Sequence, residues 1–540
     1  SAEFEDTMSL AVALNNALSG LRVNQSALAV TSSNLANINN ENYTRKVLSQ
    51  TTQVIAGVGS GVTADTIRRS VNTLIQRDFR EETTTLASIE TEANFLNRIQ
   101  QMFGTVGNKN SIGDLIDNFA ASLENIGNSP EVSANYFTGV NNASILAGRI
   151  RDMANTVQNE RIRADQEINQ AVTDIEQQIA IIAEINGIIP GQTAQGLPTG
   201  DLEDKRDQAI NTLAQYMDIQ YFQTDKNQIN ILTKSGHTLI SGGFQSDLSF
   251  RQTTLITANE SYPAVLGGIH LNDGGNPTAA NDITSALTGG KLASLFKARD
   301  TILPSVTNQL DQMSQQLRDE VNRVHNRGAN TPMGQGTGAL DPATLLGSRS
   351  FPNTAQAMTL GSDVNMVLLD INGAQVGAMG TIVAGATTPA AVQAQINTFL
   401  GANGTAGFDV DGRLEIKLNS NVRFALQDTG AATNGGDSVV QFDDDGDTVL
   451  ENYNGFSNFF GLNDFFVTPQ LSTSVPAVAG QGNQTGISSG LVVRSDIIAM
   501  PSSISRGSLT GTPPNLQLGP GNNDVALDFA AVFETNYTFS

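Results

Sequence analysis

Apolar residues recur at every seventh position in three separate stretches of this 540-residue chain, and that period constrains the fold more than any other feature. A repeat of seven keeps one stripe on the same side of a helix, and such a stripe calls for another helix against it. The first set is Leu14, Leu21, Leu28 and Leu35, with Ala17, Leu18 and Ile38 on the same side. The second is Ile168, Ile175, Ile182 and Ile189, flanked by Val172 and Ile179. It lies in a pattern from about Ala143 to Ile189, a rod of roughly 65 to 70 Å. The third is Leu303, Leu310, Leu317 and Val324, with Val306 and Met313 beside them, inside a helix over about Lys291–Asn326 that Pro304 should kink or break near Leu303. The partner of the first stripe lies either within its own domain or in another chain, and the period leaves both open.

The remaining pattern adds strands to the helices. A second helix is expected over about Asp65–Phe103, with Leu86, Ile89, Ala93, Leu96 and Phe103 on one face and Arg77, Arg80, Glu81 and Glu82 on the wetter side. Ser111, three residues before Asp114, signals the start of a helix carrying Leu115, Ile116, Phe119 and Leu123 and ending near Gly127–Pro130. Gly187, Pro190 and Gly191 end the longest helix. After a short helix over about Leu202–Met217, Ile219–Phe222 and Gln228–Thr233 flank a polar turn and predict a hairpin. From about Thr331 to Gly490 the chain is rich in Gly, Asn, Thr and Asp, with short alternating strands. Phe408–Leu418 alternates around Asp411-Gly412, a step suited to a tight hairpin turn. Beyond Gly490, Leu491–Arg494 and a weak helix at about Asn523–Glu534 read as a return to the earlier domain.

The fold class is therefore α+β and multidomain: an elongated helical-bundle core with β-hairpins, an inserted β-rich outer domain, and an N-terminal helix. The expected divisions are 1–7, 8–45, 46–330, 331–490 and 491–540. Ser1–Thr7 is acidic, lacks the basic and apolar regions of a secretory signal, and reads as a cloning remnant ahead of Met8.

Composition excludes several functions. With 53 acidic and 30 basic residues the net charge is −23, and no basic run occurs, which argues against generic nucleic-acid binding. A 39% apolar content argues against wholesale disorder. The absence of cysteine removes disulfides, thiol nucleophiles and thiolate metal sites. No apolar run reaches the roughly 18 residues of a membrane span; Ile179–Ile189 is broken by Glu184 and Asn186.

The search for chemistry assigns no catalytic, cofactor-binding or metal-binding residue. His237, His270 and His325 lie far apart, none with a second His at ligand spacing, and no His-Glu-x-x-His occurs. Asp443-Asp444-Asp445-Gly446-Asp447 suggests a calcium loop, but aligning Gly446 with the turn glycine puts Gln441 and Asn452 at the end ligand positions. Residues 57–61 and 334–338 are glycine-rich without phosphate-loop spacing.

One segment is specific. Ala17-Leu18-Ser19-Gly20-Leu21, Gln25, Ala27-Leu28 and Ser33-Asn34-Leu35-Ala36-Asn37-Ile38-Asn39-Asn40-Glu41-Asn42-Tyr43-Thr44-Arg45 resemble the signature of the bacterial flagellar rod, hook and hook-associated axial proteins. Asn40 replaces the usual Thr and Asn42 the usual Gly, and Asn is the non-glycine that best tolerates left-handed backbone. The long helices, together with Gly59–Val62, Ile67–Arg69, Asp201–Asp207, Gly290–Ala293, Arg299-Asp300, Leu303-Pro304, Val321–His325 and Gly461–Phe466, resemble the hook-associated protein 1 family over nearly the whole length.

The resemblance implies a non-enzymatic adaptor between flagellar hook and filament, assembled from copies of itself. Its implied partners are the hook protein, a second hook-filament junction protein and the flagellar export machinery. Its implied location is the extracellular flagellum, reached by flagellar type III export, which the lack of cysteine suits. Other axial proteins of hook or rod type, a secreted enzyme and a secreted surface-binding module are the competing readings. The family ends in a long apolar-periodic helix that pairs with the N-terminal one, and nothing after Phe533 matches it, so a truncated chain, monomeric in solution, is expected. Under this reading Leu14, Leu18, Leu21, Leu28 and Leu35 form the assembly stripe. Asn37, Asn39, Tyr43 and Arg45 shape the turn through side-chain hydrogen bonds to backbone, or contact a neighbouring subunit.

Overall fold

The computed structural model describes residues 2–55, 58–104, 111–258, 260–272, 274, 276–329, 344–418, 422–430, 436–444, 446, 449–468, 486–519 and 521–534. The glycine loop at 334–338, Asp445 and Asp447 of the carboxylate turn, Ser1 of the expected remnant and the residues past Glu534 lie outside that set. The chain divides into two compact units, one of residues 1–98 and 159–303, the other of 99–158 and 304–540.

In chain order the helical part comprises α1 (Ala2–Ala36), an antiparallel hairpin of β1 (Lys46–Ile55) and β2 (Val58–Arg69), α2 (Thr73–Phe103), α3 (Ile112–Asn128), α4 (Ser133–Ala194) and α5 (Gly200–Tyr216). A meander follows, of β3 (Ile219–Gln223), β4 (Ile229–Thr233), β5 (Thr238–Ser241) and β6 (Phe244–Gln245). Then come the paired β7 (Leu248–Phe250) and β8 (Ile269–Leu271), α6 (Gly290–Lys297) and α7 (Leu303–Arg327).

In the first unit the isoleucine seam of α4 forms the core: Ile168, Ile175, Ile182 and Ile189 are fully buried, along with Ile210, Leu213, Ile231, Ile240 and Leu295. The hairpin predicted around residues 219–233 is present, with Ile219 opposite Thr233 and Asn227 in the left-handed turn position. The predicted stop at Pro190 is not; α4 runs on to Ala194. Proline cannot bond the carbonyl four residues back, and Gln228 Nε2 supplies the missing donor to that Asn186 oxygen at 3.0 Å. The buried Asn186 side chain pins the meander to the helix. Its Nδ2 donates to the carbonyls of Ile229 (2.7 Å) and Gly242 (2.9 Å), and its Oδ1 accepts from Ile229 N (3.0 Å) and Arg206 (3.2 Å).

Two further expectations for this unit are corrected. Asp65–Arg69 belong to β2, where Thr63, Thr66 and Ile67 suit a pleated strand. The helix starts only at Thr73, where Asn72 Oδ1 accepts from Leu74 N at 3.0 Å. The face of α2 is also reversed. Arg80, Thr84, Thr91 and Phe95 are buried, whereas Leu86, Ile89 and Leu96 are exposed. Arg80 goes inward because Asp207 (2.9 Å) and Asn211 (2.7 Å) of α5 receive its guanidinium, which also lies 4.6 Å from the Tyr221 ring centre.

The break expected near Leu303 is a single π turn, Ala298–Ile302, between α6 and α7. It turns Arg299 into the core, where Asp165 receives its Nη1 at 2.6 Å and Asp300 its Nε at 2.8 Å.

In the second unit α3 starts at the predicted Ser111–Asp114 capping box. Phe119, Leu123 and Ile126 pack with Leu146 and Ile150 of α4, Val321 and Val324 of α7, Phe465, Phe466, and Phe529 of the helix Asp524–Val532. The β-rich part has three larger antiparallel sheets. Their strand orders are Gly385–Thr387, Met358–Leu360, Val439–Phe442, Glu451–Asn454; Gln375–Ile382, Val364–Leu369, Arg423–Asp428; and Gly404–Phe408, Arg413–Leu418, Thr344–Ser350. The predicted hairpin is the Phe408–Leu414 pairing with Gly412 at φ 75°. Alternation does not announce the helix Pro389–Leu400, although Thr388 Oγ1 caps it at Ala391 N (3.1 Å).

Asn186→Ala removes the side chain that receives Ile229 N and bonds the Ile229 and Gly242 carbonyls, and should cost about 3 kcal/mol. Urea unfolding of the variant and wild type measures this; a difference under ~1 kcal/mol would contradict the pinning role.

A candidate assembly surface on the N-terminal helix and hairpin

Helix α1 has two faces. Asn16, Ser19, Val23, Ala27, Val30 and Asn34 follow a spacing of three or four, with Gly20 beside Ser19, and are half-buried or buried, Val23 to 4% exposure. This face sits on the β1–β2 hairpin. Ser19 Oγ accepts from Val62 N at 3.2 Å, and Gly61 beside it has φ +115°. A Cβ on Gly61 would lie 2.3 Å from Ser19 Oγ, so close approach and backbone both demand glycine there. At the far end Asn34 mimics a paired strand: Oδ1 accepts from Lys46 N at 2.9 Å and Nδ2 donates to Lys46 O at 2.8 Å.

The other face carries the predicted stripe and is uncovered. Leu14 is 68% exposed, Leu18 43%, Leu21 55%, Leu28 67% and Leu35 68%. Burying one leucine side chain is worth roughly 2 kcal/mol, so the stripe offers a large gain to whatever covers it.

The turn after α1 is built partly as expected. Asn37 Nδ2 donates to Ser33 O at 2.9 Å, a side-chain to backbone bond. Tyr43 bonds side chains instead: its hydroxyl donates to Asn34 Oδ1 at 3.0 Å and lies 3.2 Å from Ser33 Oγ. Asn39 and Arg45 are exposed, and their side chains have no hydrogen bond among the described residues. Asn42 N donates to Asn40 Oδ1 at 3.2 Å. Only Asn227 and Asn272 are described non-glycines with positive φ, so Asn42 needs no left-handed backbone.

A charge network that the sequence did not single out as a site locks this assembly to α5. Arg69, ending β2, gives Nε to Glu203 (2.7 Å) and Nη1 to both Asp204 (2.9 Å) and Asp207 (2.7 Å). Thr44 donates its hydroxyl to Asp204, and Lys46 places its ammonium on Asp201, 3.6 Å from Asp204 and 4.2 Å from the Tyr43 ring centre. Burial alone would raise the Asp207 carboxyl, but Arg69 and Arg80 outweigh it and hold the group below its ordinary 3.8. Burial likewise acts against Glu203, which hydrogen bonds from Thr199, Asn227 and Arg69 keep below its ordinary 4.5. The available signal was the Asp201, Asp204, Asp207 spacing, which repeats a carboxylate every three residues along one helix.

Among the described residues no group of three or more His, Cys, Asp or Glu side chains is placed to hold a metal, and no helix is long and apolar enough to cross a membrane. His325 is a core residue: Nε2 accepts from Ser505 N at 3.0 Å, and burial pushes its pKa down to about 3.

Residues 96–339 match the family model of the flagellar hook-associated protein FlgK helical domain, and residues 14–44 match that of the flagella basal body rod protein. The second match covers the whole stripe and nearly all of its turn. Both models describe proteins of the bacterial flagellum. Flagellar hook-associated protein 1 of Escherichia coli is 23% identical over 367 residues, 66% of this chain and 65% of the relative, so the chain spans just under two thirds of that protein. The protein of that name from Bacillus subtilis is 20% identical over 60% of this chain and 68% of its own. A solved structure, the flagellar hook junction protein FlgK from Burkholderia pseudomallei, aligns over 80% of this chain and 68% of its own at 18% identity and a TM-score of 0.42. Residues 96–339 thus match the helical domain of FlgK, and the chain is similar to flagellar hook-associated protein 1 over about two thirds of its length.

Because the Asp207 and Glu203 values are depressed in the folded protein, their stabilisation is complete above the ordinary 3.8 and 4.5 and is lost as pH falls through the lower folded values. The protection factors of the β1 and β2 amides, measured against their intrinsic exchange rates, should therefore fall below about pH 4. Asp207→Asn, which leaves Arg69 and Arg80 short of a partner, should bring fast exchange already at neutral pH and cost about 3 kcal/mol. Exchange in the variant that matches wild type would refute the locking role.

Proposed function

We propose that the chain is a structural component of the bacterial flagellum, an adaptor that connects hook to filament by subunit assembly. The observation that carries this reading is the two-faced α1: one face bonded to its own hairpin, the other an uncovered leucine stripe at coiled-coil spacing. A helix fixed on one side and apolar on the other is ready to be buried by a neighbouring helix. The curated relatives, which bear the name flagellar hook-associated protein 1, support the same role.

The partners under this reading are the hook protein, a second hook-filament junction protein, further copies of this chain and the flagellar export machinery. The location is the flagellum outside the cell, after export. The role is mechanical rather than catalytic, with Leu14, Leu18, Leu21, Leu28 and Leu35 as the buried seam of the assembled structure. Asn37 and Tyr43 shape the turn, whereas Asn39 and Arg45, whose exposed side chains have no hydrogen bond among the described residues, meet a neighbouring subunit.

The test uses the full-length protein in a bacterium lacking its own copy. Leu21→Asp with Leu28→Asp should leave export and thermal unfolding unchanged, since both leucines are exposed, yet prevent incorporation at the junction and abolish motility. Normal filaments on cells carrying the double variant would sink the proposal. Arg45→Ala should weaken assembly without lowering the melting temperature.

A further inference from the structure

A second uncovered seam lies on α2. Ile75, Phe79, Leu86, Ile89 and Leu96 are 64%, 57%, 57%, 61% and 47% exposed. With Glu82 and Ala93 they alternate steps of three and four, the repeat that one helix presents to another. The opposite face of the helix is already engaged through Arg80, Thr84 and Phe95, so the seam is not a core awaiting a rotation of α2.

The charges around the seam specify its occupant. Asp78 and Glu90 flank it, Glu82 interrupts it, and all three are exposed without a cationic partner among the described residues. Glu92 is already held by Lys297 at 2.8 Å. The basic residues of α2 are Arg77, off the seam, and Arg80 and Arg98, which are engaged by Asp207 and Glu160. Two such acidic seams facing each other would repel one another.

We propose that the Ile75–Leu96 face of α2 docks an amphipathic helix of another protein whose apolar stripe is flanked by lysine or arginine, with one cation placed against Glu82. The proposal rests on α2 alone and is independent of the role assigned to α1.

The test uses the full 540-residue chain and two synthetic helical peptides of about four heptads, identical in apolar positions, one with lysine and one with glutamate flanks. Fluorescence anisotropy should show the lysine peptide binding at least about tenfold more tightly. Leu86→Glu with Ile89→Glu should weaken that binding by about tenfold or more, although the added negative charge would strengthen any diffuse attraction. Leu21→Asp with Leu28→Asp should leave it unchanged, and Asp78→Lys with Glu90→Lys should shift preference to the glutamate peptide. The proposal is overturned by equal binding of both peptides, by binding of neither, or by loss of binding in the α1 variant alone. It is equally overturned by concentration-dependent self-association that Leu86→Glu with Ile89→Glu removes, which would make a second copy the occupant.

Discussion

The Arg69 guanidinium is the fixed point on which the candidate surface depends. It closes the β1–β2 hairpin and simultaneously satisfies Glu203, Asp204 and Asp207 on α5. Three carboxylates crowded on one helix face would repel one another without it, and the hairpin would have no charged tether without them. Arginine suits this position because its planar fork presents several donors in fixed directions, so one side chain can engage several carboxylates. Thr44 and Lys46 extend the tether to the other strand, and through Asn34 the tether reaches α1. The orientation of the leucine stripe is thus set by polar contacts on the far side of its helix.

The same period has opposite outcomes in two helices. The isoleucine seam of α4 is fully buried in its own unit, whereas the leucine seam of α1 is exposed. Period alone reports that a stripe exists; what covers it depends on the opposite face. In α1 that face carries Ser19, Gly20, Ala27 and Asn34, small or hydrogen-bonding residues that let a hairpin backbone come close. Those residues were within the recognised N-terminal signature, so the segment was legible as a unit, and its division into a bonded face and a free face was not.

Elsewhere the local signals were read correctly where they act locally. The Ser111 capping box, the 219–233 hairpin, the Asp-Gly turn and the break beside Pro304 all depend on residues a few positions apart. Two of the misses involve a distant partner. Pro190 fails to end α4 because Gln228 supplies the bond it forfeits, and α2 turns Arg80 rather than Leu86 inward because α5 offers Asp207 and Asn211. A buried arginine needs a specific acceptor while an exposed leucine costs only solvation, so the polar contact decides the rotation of the helix.

That ordering of costs also explains why the apolar seams of α1 and α2 remain on the surface of a folded unit. Rotating either helix to bury its leucines would strand Arg80 or the Asn34 clamp, and each stranded polar group offsets about as much as burying one leucine gains. Polar anchoring on one face therefore protects an apolar seam on the other from collapse into the protein's own core.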